Sequence, residues 1–488
     1  MIADLKPYPE YKESGLPWLG RVPNSWRVVR NGSLFGQRNE TGHDELPILE
    51  VSLKTGIRVR EFKSSARKQV MSDKGKYKRA MKGDVAYNMM RMWQGAVGVS
   101  PVNGLVSPAY VVARPYPDVE SQFFVALFRT GDYMSEIDNC SRGIVKDRNR
   151  LYWGDFKQLL SPCPSPDEQA AIVRFLEWAN GRLERAIRAK RKVIALLSEQ
   201  KQAIIHRAVT RGLPSTGSGQ ASLSVPLKPS GIPWLGNIPQ HWEVRPLKAV
   251  CKIQSGITLG KDYAGQTTHE YPYLRVANVQ AGHANIAVIK TIRVTEDEAL
   301  RCALQAGDVL MTEGGDPDKL GRGCVWEGQI TPCLHQNHVF AVRPDQLRLE
   351  PHFLSALMGT RYARAYFEST AKQTTNLAST NKTKIGQFVV LLPKVSEQQR
   401  ILSALNEETH PTDIAISRIE RETELLREYR TRLVADVVTG KLDVRAAAAK
   451  LPEESGDLEP LDGTDALTEG EEETGGESLD TVPEEAER

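Results

Sequence analysis

The sequence predicts an α+β protein with a pseudo-twofold internal repeat: two globular domains separated by two long antiparallel coiled-coil helices. Three observations carry this prediction. The phrase SGLPWLGRVPNSWRV at Ser14 returns as SGIPWLGNIPQHWEV at Ser230. Further matched blocks follow in the same order in both halves of the chain. Each half then closes on a long run of apolar residues at three- and four-residue steps, the spacing of a helix with one buried stripe.

The blocks are collinear. GDV at Gly83 recurs at Gly307, VVARP ending at Pro115 parallels FAVRP ending at Pro344, and FFVAL at Phe123 matches FLSAL at Phe353. Phe156 in DFKQLL answers Phe388 in QFVVLL. Glu168-Gln169 and Glu397-Gln398 open the helical runs, and Val209-Thr210 and Val438-Thr439 close them. From Phe123 onward the offset stays between 229 and 232, whereas the middles of the two halves diverge.

Within each half, the first part mixes short β-rich runs (PYLRVANV, VSPAYVVARP, HVFAVRP) with Gly and Pro turns, which predicts a compact α+β domain. The second part is helical. Ile172, Leu176, Ala179, Leu183, Ile187, Ile194, Leu197, Ile204 and Ala208 make one coiled-coil seam. Ile401, Leu405, Ile419, Leu426, Leu433 and Val437 make the other, with Pro411 predicting a kink or restart near His410. Ser165 and Ser396 are placed to cap the helix starts. A seam of about 40 residues spans roughly 60 Å, and packing the two against each other hides both. The flexible stretch GLPSTGSGQASLSVPLKPSG lets the second half turn back. The boundaries that follow are a first domain at 14–165, a first helix at 166–213, a linker at 214–229, a second domain at 230–395, a second helix at 396–445 and an acidic disordered tail at 446–488.

Composition narrows the function. The 488-residue chain is 40% hydrophobic and 26% charged. No apolar run approaches the roughly 20 residues that span a bilayer, and the N-terminus lacks a signal-peptide layout. Six scattered cysteines without a C-x-x-C pair fit reduced thiols in a cytoplasmic protein. The net charge of +3 conceals an asymmetry. From Leu451 to Arg488 there are 15 Asp or Glu and one Arg, which leaves 63 Lys or Arg against 46 Asp or Glu, a formal +17, on residues 1–450. A body this basic points to a polyanionic partner, most often nucleic acid. The tail has too few large apolar groups to offset its ordering entropy.

Enzymatic tools are missing from the sequence. It has no G-x-x-x-x-G-K-[ST] phosphate loop, no G-x-G-x-x-G after a strand, and no Asn-Pro-Pro-Tyr/Phe run of an amino-methyltransferase. EGGDPDK at Glu313 lacks the second acidic-x-Lys element of a metal nuclease and reads as an acidic turn. Cys333, His335 and His338 in CLHQNH lack an evident fourth zinc ligand. The sequence therefore argues for a binding protein that aims the chemistry of others.

In this order of parts the chain resembles the DNA-specificity (S) subunit of type I restriction-modification systems. The resemblance rests on Ser14–Trp26 and Ser230–Trp242, where each variable domain begins. It rests also on the two helical runs that open at SPDEQAAIVRF and SEQQRILSAL, and it covers about residues 14–445. It implies that each globular domain is a target-recognition domain reading half of a bipartite site in double-stranded DNA. The helices then serve as a ruler and as the docking surface for two methyltransferase subunits. Those subunits bring S-adenosylmethionine and methylate adenine, and restriction subunits add ATP- and Mg-dependent translocation and cleavage. The chain itself would hold no catalytic residue, metal or cofactor. An alternative is a stand-alone DNA-binding regulator with a coiled-coil interface.

The divergent middles are where base-reading residues are expected. Arg pairs bidentately with guanine and Asn with adenine, and Tyr or Trp packs on sugars or flipped-out bases. In the first domain, YNMMRMWQG, SPAY and SRGIVKDRNRLY supply Arg91, Trp93, Tyr110, Arg142, Lys146, Arg148 and Arg150. In the second, MTEGGDPDKLGRG, HQNH and KQTTNLASTNKTK supply Glu313, Lys319, Arg322, His335, Gln336, Asn337, Asn376, Asn381, Lys382 and Lys384. Lys382 and Lys384 suit phosphate rather than bases. Trp18, Trp26, Trp234 and Trp242 are assigned to packing at the domain edge.

Overall fold

The computed structural model describes residues 5–53, 55–60, 74–143, 149–213, 226–232, 234–315, 320–321, 323–373 and 378–452. Two compact units result: Met1–Ala189 with Glu422–Arg488, and Lys190–Arg421. The first long helix, Pro166–Arg211, begins in the first unit and ends in the second, and the second long helix, Val395–Val438, does the reverse. Each unit thus contains one globular half-chain plus part of both helices.

The repeat is visible strand by strand. In the first unit Phe35–Arg38, Tyr110–Pro115, Val85–Asn88 and Val97–Val99 lie side by side in that order, all antiparallel. In the second, Cys251–Ser255, Val339–Pro344, Val309–Thr312 and Gly323–Val325 repeat that order and sense. The central strands bury consecutive residues (Val111, Val112 and Ala113; Val339 to Val342), so these stretches read as continuous apolar runs rather than as alternation. The helix pairs Ser121–Phe128 with Gly131–Cys140, and Pro351–Met358 with Arg361–Thr370, pack on these sheets. What differs is inserted. Two small hairpin-like sheets enlarge the first unit. Where the first has the hairpin Leu49–Ser52 with Gly56–Val59 and a parallel bridge from Ile48 to Leu105, the second has the longer sheet of His269–Leu274, Lys290–Val294 and Leu334–His335, together with the helix Glu296–Cys302.

Physical causes account for the matched blocks. Asp84 and Asp308, of the two GDV blocks, each accept a backbone N–H three residues back, from Met81 and Gln305 at 2.8 Å. Each also binds a guanidinium at 2.7 Å, Arg38 on one side and Arg343 on the other. Gln169 and Gln398 tether the helix starts. Their side-chain oxygens accept from Glu120 N and Glu350 N at 2.8 Å, and their amides donate to Pro164 O at 3.0 Å and Pro393 O at 2.8 Å. The opening phrase is the loop of a small hairpin, Tyr11–Glu13 with Arg21–Pro23 and Leu227–Pro229 with Asn237–Pro239. Ser14 and Ser230 hold that loop by accepting from Leu16 N and Ile232 N at 3.0 and 3.1 Å.

Inside each unit the helix segments run antiparallel. In the second, Lys201 pairs with Asp413 and Arg207 with Glu408. In the first, Arg430 pairs with Glu184 at 2.7 Å, while Ile172 to Ala179 share a core with Leu433, Val437 and Val438. Ile172, Leu176, Ala179, Leu183 and Ile187 are buried, as are Ile401, Leu405, Leu433 and Val437. Gly440 ends the second helix with φ +78°, and a Cβ there would stand 2.4 Å from the Pro23 ring, so both backbone sign and space require glycine.

Several expectations need correction. The second helix is continuous through Pro411 and does not restart at His410; Pro411 stands exposed, where loss of one N–H is compensated by water. Ordered structure starts before Ser14, because Tyr8 is buried, donates to Glu168 at 2.7 Å, and its neighbour Lys6 pairs with Asp443. The expected linker gives up Leu227–Pro229 to a strand. The tail starts later than residue 446, since Ala448 and Leu451 are buried and Leu451 O accepts from Arg174 at 2.7 Å. Residues 453–488 lie outside the described residues. Trp26 and Trp242 are fully buried and Trp18 packs edge-on to Tyr133 at 5.2 Å, but Trp234 is 48% exposed.

Candidate nucleic-acid interface

At one end of each central sheet three chain segments are tied into a junction. In the first unit Met89, just past the strand Val85–Asn88, donates to Ala109 O at 3.2 Å and accepts from Leu151 N at 2.9 Å. In the second unit Glu313, just past Val309–Thr312, donates to His338 O at 2.9 Å and accepts from Thr380 N at 2.8 Å. These are the same two bonds at corresponding places. Ala109 and His338 each precede the central strand, and Leu151 and Thr380 lie 229 apart. The junctions unite the divergent segments in which the sequence places the readers: YNMMRMWQG, SPAY and SRGIVKDRNRLY in one, MTEGGDP, HQNH and ASTNKTK in the other. Identical backbone carries different side chains, which suits two readers of different sequences.

In the first junction Arg91 and Arg150 are exposed. Tyr110 starts the central strand, and burial, aided by Glu50, pushes its hydroxyl up from its ordinary value against the opposing pull of Asn88, Arg91 and Arg60. Lys78 donates to Tyr110 O at 3.0 Å, and burial pulls its ammonium down. Asn88, which the sequence does not single out, stands opposite Tyr110 and accepts from Met90 N at 2.9 Å. Trp93 is structural: its indole donates to Met90 O at 3.0 Å and its ring packs on the core. Arg142 pairs its backbone with Arg150 and its side chain with Asp155 at 2.5 Å. It borders a cavity of about 430 Å3 that Glu136 and Asp155 also line. Lys146 and Arg148 lie outside the described residues.

In the second junction Glu313 and His338 form an exposed ion pair at 2.5 Å. Gln336 and Asn337 are half-buried, with backbones fixed by Leu274 O at 2.8 Å and Ile257 O at 2.9 Å. His335 is not at the surface. Fully buried, its Nδ1 faces Val339 O at 2.6 Å, its Nε2 has no partner among the described residues, and burial lowers its pKa. Adjacent strand residues point to opposite faces, so Gln336 and His335 cannot share a role. Asn381 is an N-cap, accepting from Lys384 N at 3.0 Å. Lys382 is exposed and Lys384 half-buried. Lys319, Arg322 and Asn376 lie outside the described residues. His338, not singled out among the candidate readers, also stands at this junction, and counting back from the FAVRP block, as from VVARP to Ala109, locates it.

Among the described residues no group of three or more His, Cys, Asp or Glu is placed to hold a metal. All six cysteines are free, with burial pushing Cys333 up to about 12. No helix among the described residues is long and apolar enough to cross a membrane.

A duplicated α+β fold with matched junctions and mismatched side chains defines a class, proteins built of two like domains with unlike surfaces. Residues 239–424 match the type I restriction modification DNA specificity domain. A type I restriction enzyme specificity subunit described from Methanocaldococcus jannaschii, MjaX, is 25% identical over 209 residues, 42% of this chain and 47% of that protein. This chain thus spans about half the length of that relative. The EcoKI specificity subunit of Escherichia coli K12 is 22% identical over 366 residues, 70% of this chain and 74% of that one. A solved chain from work on complex assembly and conformational transition of the type I restriction-modification system superposes with a TM-score of 0.55. It is 18% identical, covering 86% of this chain and 99% of that one, which is a likeness of fold. Over these stretches the chain is similar to the DNA specificity subunits of type I restriction-modification systems.

Proposed function

We propose that this chain reads a bipartite site in double-stranded DNA, one half-site through each junction, and positions two adenine methyltransferase subunits and the restriction subunits over it. The observation that carries this reading is the pair of equivalent junctions: Met89 bonded to Ala109 and Leu151, Glu313 bonded to His338 and Thr380. A duplicated frame with diverged side chains is what two unlike half-sites require. Arg91 and Arg150 suit guanine in the first half-site, while Gln336 and Asn337 suit adenine and Glu313 suits the amino group of cytosine in the second. The chain contributes no catalytic group and binds no cofactor; S-adenosylmethionine, ATP and Mg belong to its partners, and the complex works in the cytoplasm. Methylome sequencing with and without this chain, its partner methyltransferase present, tests the reading. A split methylated motif that vanishes with the chain is expected. Purification of the chain alone, bound to DNA and without a methyltransferase, would instead favour a stand-alone regulator.

A further inference from the structure

We propose that the second unit carries a seat for one phosphodiester of the DNA backbone, built from Lys261 and Arg301 over Glu298; the inference rests on the DNA-reading function above. The strand Cys251–Ser255 runs into a loop that, with the helix Glu296–Cys302, lines a cavity of about 530 Å3. That loop is fixed to the reading strip. Ile257 N donates to His335 O at 2.8 Å and Asn337 N to Ile257 O at 2.9 Å. Gly256 packs so closely that a Cβ would stand 2.0 Å from His335 O. The cavity wall and the Gln336-Asn337 pair therefore move as one piece.

The charges select the ligand. Glu298, 8% exposed, accepts from Lys261 Nζ at 3.0 Å, Arg301 Nη2 at 3.2 Å and Tyr263 Oη at 2.5 Å. Lys261 and Arg301 are 49% and 69% exposed. An ammonium has three donors and a guanidinium five, and one of each is engaged on Glu298, so further donors remain for a ligand. The hydroxyls of Ser255 and Thr258 stand on the same lining. Two cations and one carboxylate leave a formal +1. A phosphodiester brings one negative charge and matches it; a free phosphate or nucleotide brings more. In the first unit Arg38, at the end of the matching strand, turns inward onto buried Asp84.

The test is a salt titration of the chain assembled with its methyltransferase subunits binding a fluorescent 40-base-pair duplex of random sequence, followed by anisotropy. Each phosphate contact contributes about 0.9 to the slope of log affinity against log salt. Lys261→Gln with Arg301→Gln should lower the slope by about that amount and weaken binding roughly three- to tenfold, equally on duplexes with and without the methylated motif. Lys261→Arg should keep the wild-type slope, which separates lost charge from a lost fold. An unchanged slope in the double variant, with wild-type binding intact, overturns the seat and leaves the DNA reading standing. Should inorganic phosphate stabilise the wild type but not the double variant while the duplex slope is unchanged, the seat is for a free anion and the proposal also fails. Failure of the wild type to bind any duplex overturns the DNA reading, and the seat with it.

Discussion

On the proposed reading, Gln336 and Asn337 are the residues on which the second half-site would depend most directly. Their backbones are pinned by Leu274 O and Ile257 O, so their amides are presented from a fixed base. Gln336→Ala with Asn337→Ala should relax the second half-site and leave the first intact, costing about 1–3 kcal/mol per lost bidentate contact. Methylome sequencing of the variant reads this directly; equal loss at both halves, or none, contradicts the placement. His352 offers a separate test of stability. Its hydrogen bonds to Glu350 and Glu327, both at 3.0 Å, hold the imidazolium at about 8, above its ordinary value. The folded state thus binds the proton more tightly than the unfolded one. The resulting stabilisation is full below the ordinary His value of about 6.5 and is lost as pH rises through about 8. Wild type should therefore lose more Tm than His352→Ala between pH 6 and pH 9. Parallel curves would show that the pairs contribute nothing in water. The contrast of His335 with Gln336 also marks what a sequence conceals at this scale. The segment HQNH is recognisable as divergent, but which member faces out depends on strand register, and the pleat alternates the two faces.

At the scale of elements, the starts of the two long helices are governed by one device. Gln398 is fully buried and makes three bonds of 2.8 Å, to Glu350 N, Arg348 O and Pro393 O. Gln398→Ala takes the partner from one donor and two acceptors, of which the Pro393 carbonyl is buried and the Glu350 N–H and Arg348 carbonyl are part-buried, at about 1–3 kcal/mol for a group left unsatisfied. A loss of about 2–4 kcal/mol is expected after partial rehydration, measured by urea unfolding, with Gln169→Ala showing a similar loss from the first unit. A loss under about 0.5 kcal/mol, the level of an ordinary surface change, rejects the tether. These glutamines and the helix seams are legible in the sequence because they recur. Glu168-Gln169 and Glu397-Gln398 are seen twice, and apolar spacing identifies Ile172 to Ile187 and Ile401 to Val437 as buried stripes. The sheet around His269–Leu274 answers the hairpin Leu49–Ser52 with Gly56–Val59 and its parallel bridge Ile48–Leu105, but the two share no sequence block and so offer no internal reference. Pro411 misleads for a physical reason: in a long helix the neighbouring turns hold the direction and water serves the freed carbonyl, so one proline does not stop it.

Both long helices are shared between the two units, with the division falling after Ala189 in one and after Arg421 in the other. That arrangement refines what a ruler must do. Four residues inserted near Ala189 alone lengthen one helix by about 6 Å while the other keeps its length. Either the Glu184–Arg430 or the Lys201–Asp413 register must then slip, and reduced stability is the expected result. Four residues inserted at both Ala189 and Arg421 preserve both registers, because each unit keeps its own helix pairing. If the helices set the separation of the half-sites, the double insertion lengthens the spacer by about one to two base pairs, from about 6 Å of helix against 3.4 Å per base pair. Both half-sites stay as they were, since neither junction is touched. Methylome sequencing of the single and double insertions distinguishes the possibilities. A double insertion that is active with an unchanged spacer removes the helices from any part in measuring the site, and spacing would then have to be set by the partner subunits.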